Sequence, residues 1–249
     1  MKEAPKTQNV YRSTVLVMGG SGVIGRALCL KFASAQWTVG VHYHRNKKQA
    51  FEIFSHFKNQ GEKSSIFHAD ARDPQQIKEI IDHFHKQWGR LDALIWAVGY
   101  TSNALTIRIS QEQWDDQIQA NLTGLFYCLR AVGPIFQEQG FGSVLVISSL
   151  ASMTGGPGQT AYAATKAGSL GLIRSVAQEW GQANIRINAV FPGWHKSPLS
   201  GDAFPSPDDS QDHTLGRTPN LEETANLIYH LATARDISGQ IFNLDNRLW

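Results

Sequence analysis

Short runs of Val, Ile and Leu alternate along the chain with longer stretches in which apolar residues recur every three or four positions. The short runs predict strands at Thr14–Met18, Thr38–Tyr43, Ser65–Ala69, Ala93–Ala97, Ser143–Ile147, Arg186–Phe191 and Gln240–Leu244. They are dense in apolar residues, as parallel strands covered on both faces are. The longer stretches predict helices over Gly25–Ala35, Lys47–Gln60, Pro74–Trp88, Gln111–Gln139, Thr160–Gln182 and Leu221–Ala232. Strand–helix alternation along the whole chain predicts an α/β fold, a doubly wound parallel sheet of about seven strands flanked by helices. No linker divides it, so residues 1–249 read as a single domain, with a polar N-terminal extension over 1–13. One stretch breaks the rhythm. Trp194 to His213 carries Pro198, Gly201, Pro205 and Pro207 among Asp and Ser residues. A loop of that length in a compact domain usually serves function, and 194–213 is expected to be a substrate lid.

Composition narrows the partners. Apolar residues make up 42% and charged residues 18% of the chain, a globular balance with enough length for a sizeable core. The net charge is +2, and Lys47-Lys48 is the densest basic block, which argues against nucleic acid as a partner. Cys29 and Cys128 lie in apolar, helix-like segments without metal-ligand spacing or a disulfide framework. Buried thiols in a reducing compartment are expected, and no metal site. No apolar run reaches the roughly 18 residues of a spanning helix, and Met1–Ser13 has no signal-peptide core. The expectation is a cytoplasmic protein with no membrane partner.

The first candidate chemistry lies where the first strand runs into Gly19-Gly20-Ser21-Gly22-Val23-Ile24-Gly25. Glycines at every third position of a strand–turn–helix junction suit a tight turn, close backbone approach to a pyrophosphate, and close packing of helix on strand. The helix start would offer N–H groups and a positive dipole end to the phosphates. The second strand ends in His42-Tyr43-His44-Arg45-Asn46-Lys47-Lys48, with no Asp or Glu between Gly40 and Gln49. An acid there would hold a ribose 2′-hydroxyl, whereas basic residues accommodate a 2′-phosphate. NADP(H) is therefore expected over NAD(H), with His44 and Arg45 at the phosphate.

The second candidate is Tyr162-Ala163-Ala164-Thr165-Lys166, with Ser149 thirteen residues before the tyrosine. Positions four apart share a helix face. A cation beside the phenol favours the phenolate and moves a pKa of about 10 toward neutrality. With a hydroxyl from another segment holding the substrate oxygen, the set can transfer a proton to a carbonyl.

From Thr14 onward these features resemble the short-chain dehydrogenase/reductase family, in its single-domain, Rossmann-type branch. The glycine turn, Asp70, Asn121 in Gln119-Ala120-Asn121-Leu122-Thr123-Gly124, Ser149, Tyr162 with Lys166, and Pro192-Gly193 occur in the family's order. The resemblance implies that Tyr162 gives the proton, Lys166 lowers its pKa and holds the nicotinamide ribose, Ser149 binds the carbonyl oxygen, and Asn121 holds a water leading to Lys166. It implies cofactor contacts from Gly19, Ser21, Gly22, Val23, Ile24 and Gly25. Further contacts would come from His44 and Arg45, Asp70 and Ala71, Ala97 and Gly99, and from Tyr162 and Lys166 themselves. Pro192, Gly193 and Ser197 would seat the carboxamide.

Three positions depart from the family pattern. Met18 replaces the usual Thr before the first glycine, removing a hydroxyl that stabilises the turn. Val23 stands where this branch usually has Gly. Trp96-Ala97-Val98-Gly99 replaces Asn-Asn-Ala-Gly, so both amides are missing. The segment Asn103–Ser110 with Trp114, and Gly158-Gln159-Thr160-Ala161-Tyr162, is similar to the 3-oxoacyl-carrier-protein reductases. The arginines those enzymes carry before the fifth and sixth strands are absent from Gln139–Gly142 and Gln182–Ile185, and the lid holds Asp202, Asp208, Asp209 and Asp212. The expected substrate is a 3-oxoacyl thioester or similar ketone, with a quinone-like carbonyl also open. An alternative is a catalytically weak NADP-binding regulatory or scaffold protein. The resemblance further implies a homotetramer, or a homodimer, built on the helices predicted at Gln111–Gln139 and Thr160–Gln182.

Overall fold

The computed structural model describes residues 12–200 and 212–247. Most of the predicted N-terminal extension, and residues 201–211 of the predicted lid, lie outside them. Seven strands form one parallel sheet: β1 Thr14–Met18, β2 Thr38–Tyr43, β3 Ser64–His68, β4 Ala93–Trp96, β5 Gly142–Ile147, β6 Ile185–Phe191 and β7 Ile241–Asn243. Their order is β3-β2-β1-β4-β5-β6-β7. The chain winds outward one way from β1 and the other way from β4. The crevice at the C-terminal ends of these two strands is therefore the place where such a sheet takes a ligand.

Helices cover both faces. Alternate strand residues point to opposite sides. Leu16 and Met18 pack with Ile77, Ile81 and Phe84 of α3 (Pro74–Trp88), Leu125 and Phe136 of α5 (Gly124–Gln139), and Leu170 and Ile173 of α7 (Thr160–Trp180). Val15 and Val17 pack with Leu28 and Phe32 of α1 (Val23–Ser34), Ile53 and Phe57 of α2 (Lys47–Asn59), and Ile228 and Leu231 of α8 (Leu221–Thr233). Coverage from both sides is what the unbroken apolar strands required. No helix among the described residues is long and apolar enough to cross a membrane.

The predicted helix over 111–139 runs unbroken but not uniformly. It divides into α4 (Gln111–Ile118), a π-helical turn over Gln119–Thr123, and α5. Such wide turns frequently mark functional sites. A short helix that periodicity did not reveal, α6 (Ala151–Thr154), follows β5. Its hydroxyls bond back to preceding carbonyls, Ser152 to Ser149 at 2.6 Å and Thr154 to Leu150 at 3.3 Å. After residue 211, His213 forms an antiparallel bridge with Arg247, and the Thr214 N–H donates to the Asn246 carbonyl at 2.8 Å.

Candidate active site

The glycine turn sits in the crevice between β1 and β4. Gly19 has φ of 80°, and a Cβ there would stand 2.6 Å from the Ala97 carbonyl oxygen. Only glycine adopts that conformation freely and leaves room for the neighbouring strand. A Cβ on Gly25 would lie 2.2 Å from the Gly19 oxygen, so helix and turn touch through bare backbone. Gly22 caps α1 without a side-chain hydrogen bond, and the first turn holds no acid. Its N–H groups are thus available to an anion, and the dipole favours one. Val23 and Ile24 fill the first turn of α1, half-buried, and Ile24 packs on the core beneath.

A cleft opens beside this turn. Gly19, Ser21 and Gly22 line one side, and His42, His44 and Arg45 come from the end of β2. Asp70, Ala71 and Arg72 follow β3, while Ala97 to Tyr100 follow β4. Asp116 and Ala120 close it. Asp70 is not a free carboxylate. Arg72 binds it through Nε at 3.0 Å and Nη2 at 2.7 Å, and also reaches Asp116 at 2.8 Å. His44 Nε2 lies 3.7 Å from the same Asp70 oxygen. Burial raises the pKa of Asp70, but the hydrogen bonds from Arg72 outweigh it and hold the carboxyl below its ordinary value.

Trp96 is wholly buried beneath the cleft, on the face packed by α3, α5 and α7. Its ring comes within 3.2 Å of where a Cβ on Gly124 would be, so α5 accommodates the indole at a glycine. The indole N–H has no hydrogen-bond partner among the described residues. The ring therefore fills the volume of the missing amides but reproduces none of their hydrogen bonds.

Tyr162 and Lys166 lie on the first turns of α7, under the loops that leave β5 and β6. Lys166 is 3% exposed; its ammonium is 5.7 Å from the Tyr162 ring centroid and donates to the Ile147 carbonyl at 2.9 Å. The Ser149 hydroxyl faces the Tyr162 phenol and favours its ionised form, while it also accepts the Ala151 N–H at 3.2 Å. Neighbouring serines serve other purposes: Ser148 donates to the Lys166 carbonyl at 3.4 Å and Ser152 to the Ser149 carbonyl. The segment after β4 is fastened beside them, with Ala104 donating to the Gly158 carbonyl at 3.0 Å and Thr106 bonded to Thr160 at 2.6 Å.

The electrostatics differ from the sequence expectation. In the free chain the Tyr162 pKa is raised, not lowered, because burial outweighs the Ser149 hydroxyl and the field of Arg247. Lys166 is itself desolvated, which brings its pKa down to about 8. Arg247 stacks 4.7 Å over Trp194 and is ion-paired with the buried Asp245.

Two predicted residues, Asn121 and Ser197, make hydrogen bonds within the chain. The Asn121 amide is committed to the backbone of Tyr100, accepting from its N–H at 2.8 Å and donating to its carbonyl at 2.8 Å, with Thr165 3.3 Å away. The side chain thus braces the β4 loop against α7 from within the π turn. The Ser197 hydroxyl accepts the Ser200 N–H at 3.2 Å, inside its own turn. Pro192 and Gly193 follow β6, and the Pro192 carbonyl is held by His195 at 3.0 Å. His42, Arg72 and Arg247 were not singled out by sequence. Arg72 stands two residues after Asp70, and that spacing was the available signal.

The model of the short chain dehydrogenase family matches residues 13–207. The chain belongs to the short-chain dehydrogenase family. It is 32% identical over 243 residues to the 3-oxoacyl-[acyl-carrier-protein] reductase FabG of Staphylococcus aureus, covering 95% of this chain and 98% of that one. It is 32% identical over 240 residues to FabG of Thermotoga maritima, covering 94% and 96%. The 3-oxoacyl-[acyl-carrier-protein] reductase of Synechocystis is 33% identical over 233 residues, covering 92% and 94%. As a short-chain dehydrogenase the protein is an oxidoreductase of CH–OH and C=O groups that uses a nicotinamide dinucleotide. The residues fit that cofactor: the cradle at Gly19 and Gly25 would be filled by any Cβ, and the start of α1 is uncapped.

Proposed function

We propose that the protein is an NADPH-dependent carbonyl reductase acting on a 3-oxoacyl thioester or a similar ketone. The observation that carries this reading is the convergence of Ser149, Tyr162 and Lys166 beside the glycine-turn crevice. Gly19, Ser21, Gly22 and the first turn of α1 would hold the pyrophosphate, and Lys166 the nicotinamide ribose. Bound there, the cofactor supplies the hydride. Tyr162 gives its phenolic proton to the carbonyl oxygen, and the Ser149 hydroxyl hydrogen-bonds that oxygen as charge develops. The ammonium of Lys166 stabilises the phenolate left behind. Asn121 keeps the β4 loop and α7 in register around them.

The choice of NADPH is supported by the end of β2, where His44 and Arg45 line the cleft without an acid. The nearest carboxylate, Asp70, is neutralised by Arg72. The thioester is supported by the relatives' names and by exposed Leu105, Met153 and Leu199, which lie in the segments following β4, β5 and β6. A lid is proposed at 194–213, of which 201–211 lie outside the described residues, and the cytoplasm is the proposed location. The segments before β5 and β6 hold no arginine to grip an acidic carrier, so thioesters of coenzyme A and small ketones are included among the substrates.

NADPH oxidation with acetoacetyl thioesters of coenzyme A and of carrier protein tests the reading, alongside a panel of activated ketones. Tyr162→Phe is expected to lower turnover by about a hundredfold or more while leaving NADPH affinity within about threefold. Absence of turnover across the panel, or preference for NADH, would refute it. One observation favours a second reading, a regulatory or scaffold protein that binds NADP: Trp96 and Ala97 replace the two amides, and the Trp96 N–H finds no hydrogen-bond partner among the described residues. That reading requires tight NADPH binding with no turnover.

A further inference from the structure

We propose that His42 is a positioning residue for the dinucleotide, holding the first glycine of the phosphate-binding turn in place from the neighbouring strand. This inference rests on the reading that a nicotinamide dinucleotide occupies the cleft. The turn lacks a hydroxyl at position 18, where the Met18 side chain is buried in the helix layer. The Gly19 N–H donates instead to His42 Nδ1 at 2.9 Å. Because Nδ1 accepts, the single proton of a neutral ring sits on Nε2. Nε2 faces the Ala69 carbonyl at 3.0 Å and donates to it. The Ala69 N–H in turn donates to the Tyr43 carbonyl at 3.1 Å. One imidazole thus joins the ends of β1, β2 and β3 where they border the cleft.

Both ring nitrogens are used and the residue is 2% exposed. The titratable groups facing it are His44 just past the end of β2, His68 at the end of β3 and Asp70 in the following loop. Burial dominates them and keeps the ring neutral, with its pKa lowered to about 4. An apolar side chain of similar size would fill the space but strand the Gly19 N–H without an acceptor. Gly19 has φ of 80°, a Cβ on it would stand 2.6 Å from the Ala97 oxygen just past β4, and its own oxygen lies against Gly25 of α1, so its orientation fixes where the start of α1 points.

Asparagine and glutamine separate this role from packing. The Asn oxygen can stand in for Nδ1, whereas the Gln amide reaches toward Ala69 and leaves Gly19 unpaired. Calorimetric titration with NADPH is expected to give His42→Asn an affinity within about threefold of the unmodified chain. His42→Gln and His42→Ala are expected to bind about tenfold or more weakly. A packing role would lower the thermal midpoints of the variants without separating Asn from Gln in affinity. Wild-type affinity in the Gln and Ala variants overturns the proposal, as does an Asn variant as weak as Ala. Nitrogen-15 NMR of the unmodified chain, which needs no variant to fold, should find Nδ1 unprotonated from pH 5.5 to 8, about a unit and more above the lowered pKa; an Nδ1–H tautomer overturns the proposal equally. Failure of the unmodified chain to bind either NADPH or NADH removes the dinucleotide reading and this proposal with it. Binding that is indifferent to the His42 variants removes this proposal alone.

Discussion

Lys166 is the residue whose environment most directly shapes the chemistry. It sits among apolar and backbone groups with its ammonium on the Ile147 carbonyl, and desolvation lowers its pKa to about 8. Below that pH the side chain is charged and can stabilise the Tyr162 phenolate; above it the charge is lost. Tyr162 has its pKa raised, so it stays protonated throughout this range and imposes no limit of its own. The value of kcat/KM for NADPH, which reports the free protein, should therefore fall as pH rises through about 8. Lys166→Arg keeps the charge, and the fall should move to higher pH in a rate profile. A flat profile, or one unchanged in the Arg variant, would show that Lys166 does not govern it. Ser149, Tyr162 and Lys166 were legible in sequence because helical spacing puts two of them on one face and the distance to Tyr162 selects one of several serines. His42 was not legible. Its partners are 23 and 27 residues away, and a histidine within an apolar strand looks like core until the turn is seen to close on it. The raised pKa of Tyr162 was equally hidden, since sequence gives the spacing of two groups but not how much water each keeps.

At the scale of elements, apolar periodicity located all seven strands, with no end shifted by more than one residue. The uninterrupted strands and amphipathic helices each have one way to bury their apolar surface, so pattern and layer agree. At 111–139 periodicity located the helix but not the wide turn inside it, because the backbone stays helical from end to end. That turn carries Asn121, which holds both backbone groups of Tyr100. The junction of turn and α1 is the most constrained of these contacts. A Cβ on Gly25 would stand 2.2 Å from the Gly19 oxygen, and backbone cannot yield as a flexible side chain does. Gly25→Ala should push α1 away from the turn, weaken NADPH binding about tenfold or more, and cost about 1–3 kcal/mol in a urea titration, the usual range for overpacking. Unchanged affinity in a folded variant would mean that the start of α1 does not carry the phosphates.

At the scale of the whole molecule, one layer of the sandwich leaves an outer face with little to cover it. On α7 the outward positions Ala164, Ala167, Gly168, Gly171 and Ser175 are exposed and small, giving a flat surface on which another helix can approach closely. On neighbouring α5, Phe126 is 45% exposed, and Arg130 lies over both Phe126 and Tyr127. Aromatic and Arg side chains around a small-residue surface have the composition of an interface core rather than of a solvated rim. The same helix carries Tyr162 and Lys166 on its inner face, so a partner packed outside would also stiffen the catalytic turn. The expected state is a homotetramer, with a homodimer as the smaller assembly, built on α5 and α7. Ala164→Arg, which puts a long charged chain on the flat face, should dissociate it and lower activity in parallel. Sedimentation equilibrium at micromolar concentration is the measurement. A mass near four or two times 27.6 kDa is expected for the unmodified chain and one near 27.6 kDa for the variant. A monomeric unmodified chain would mean that these faces meet only water.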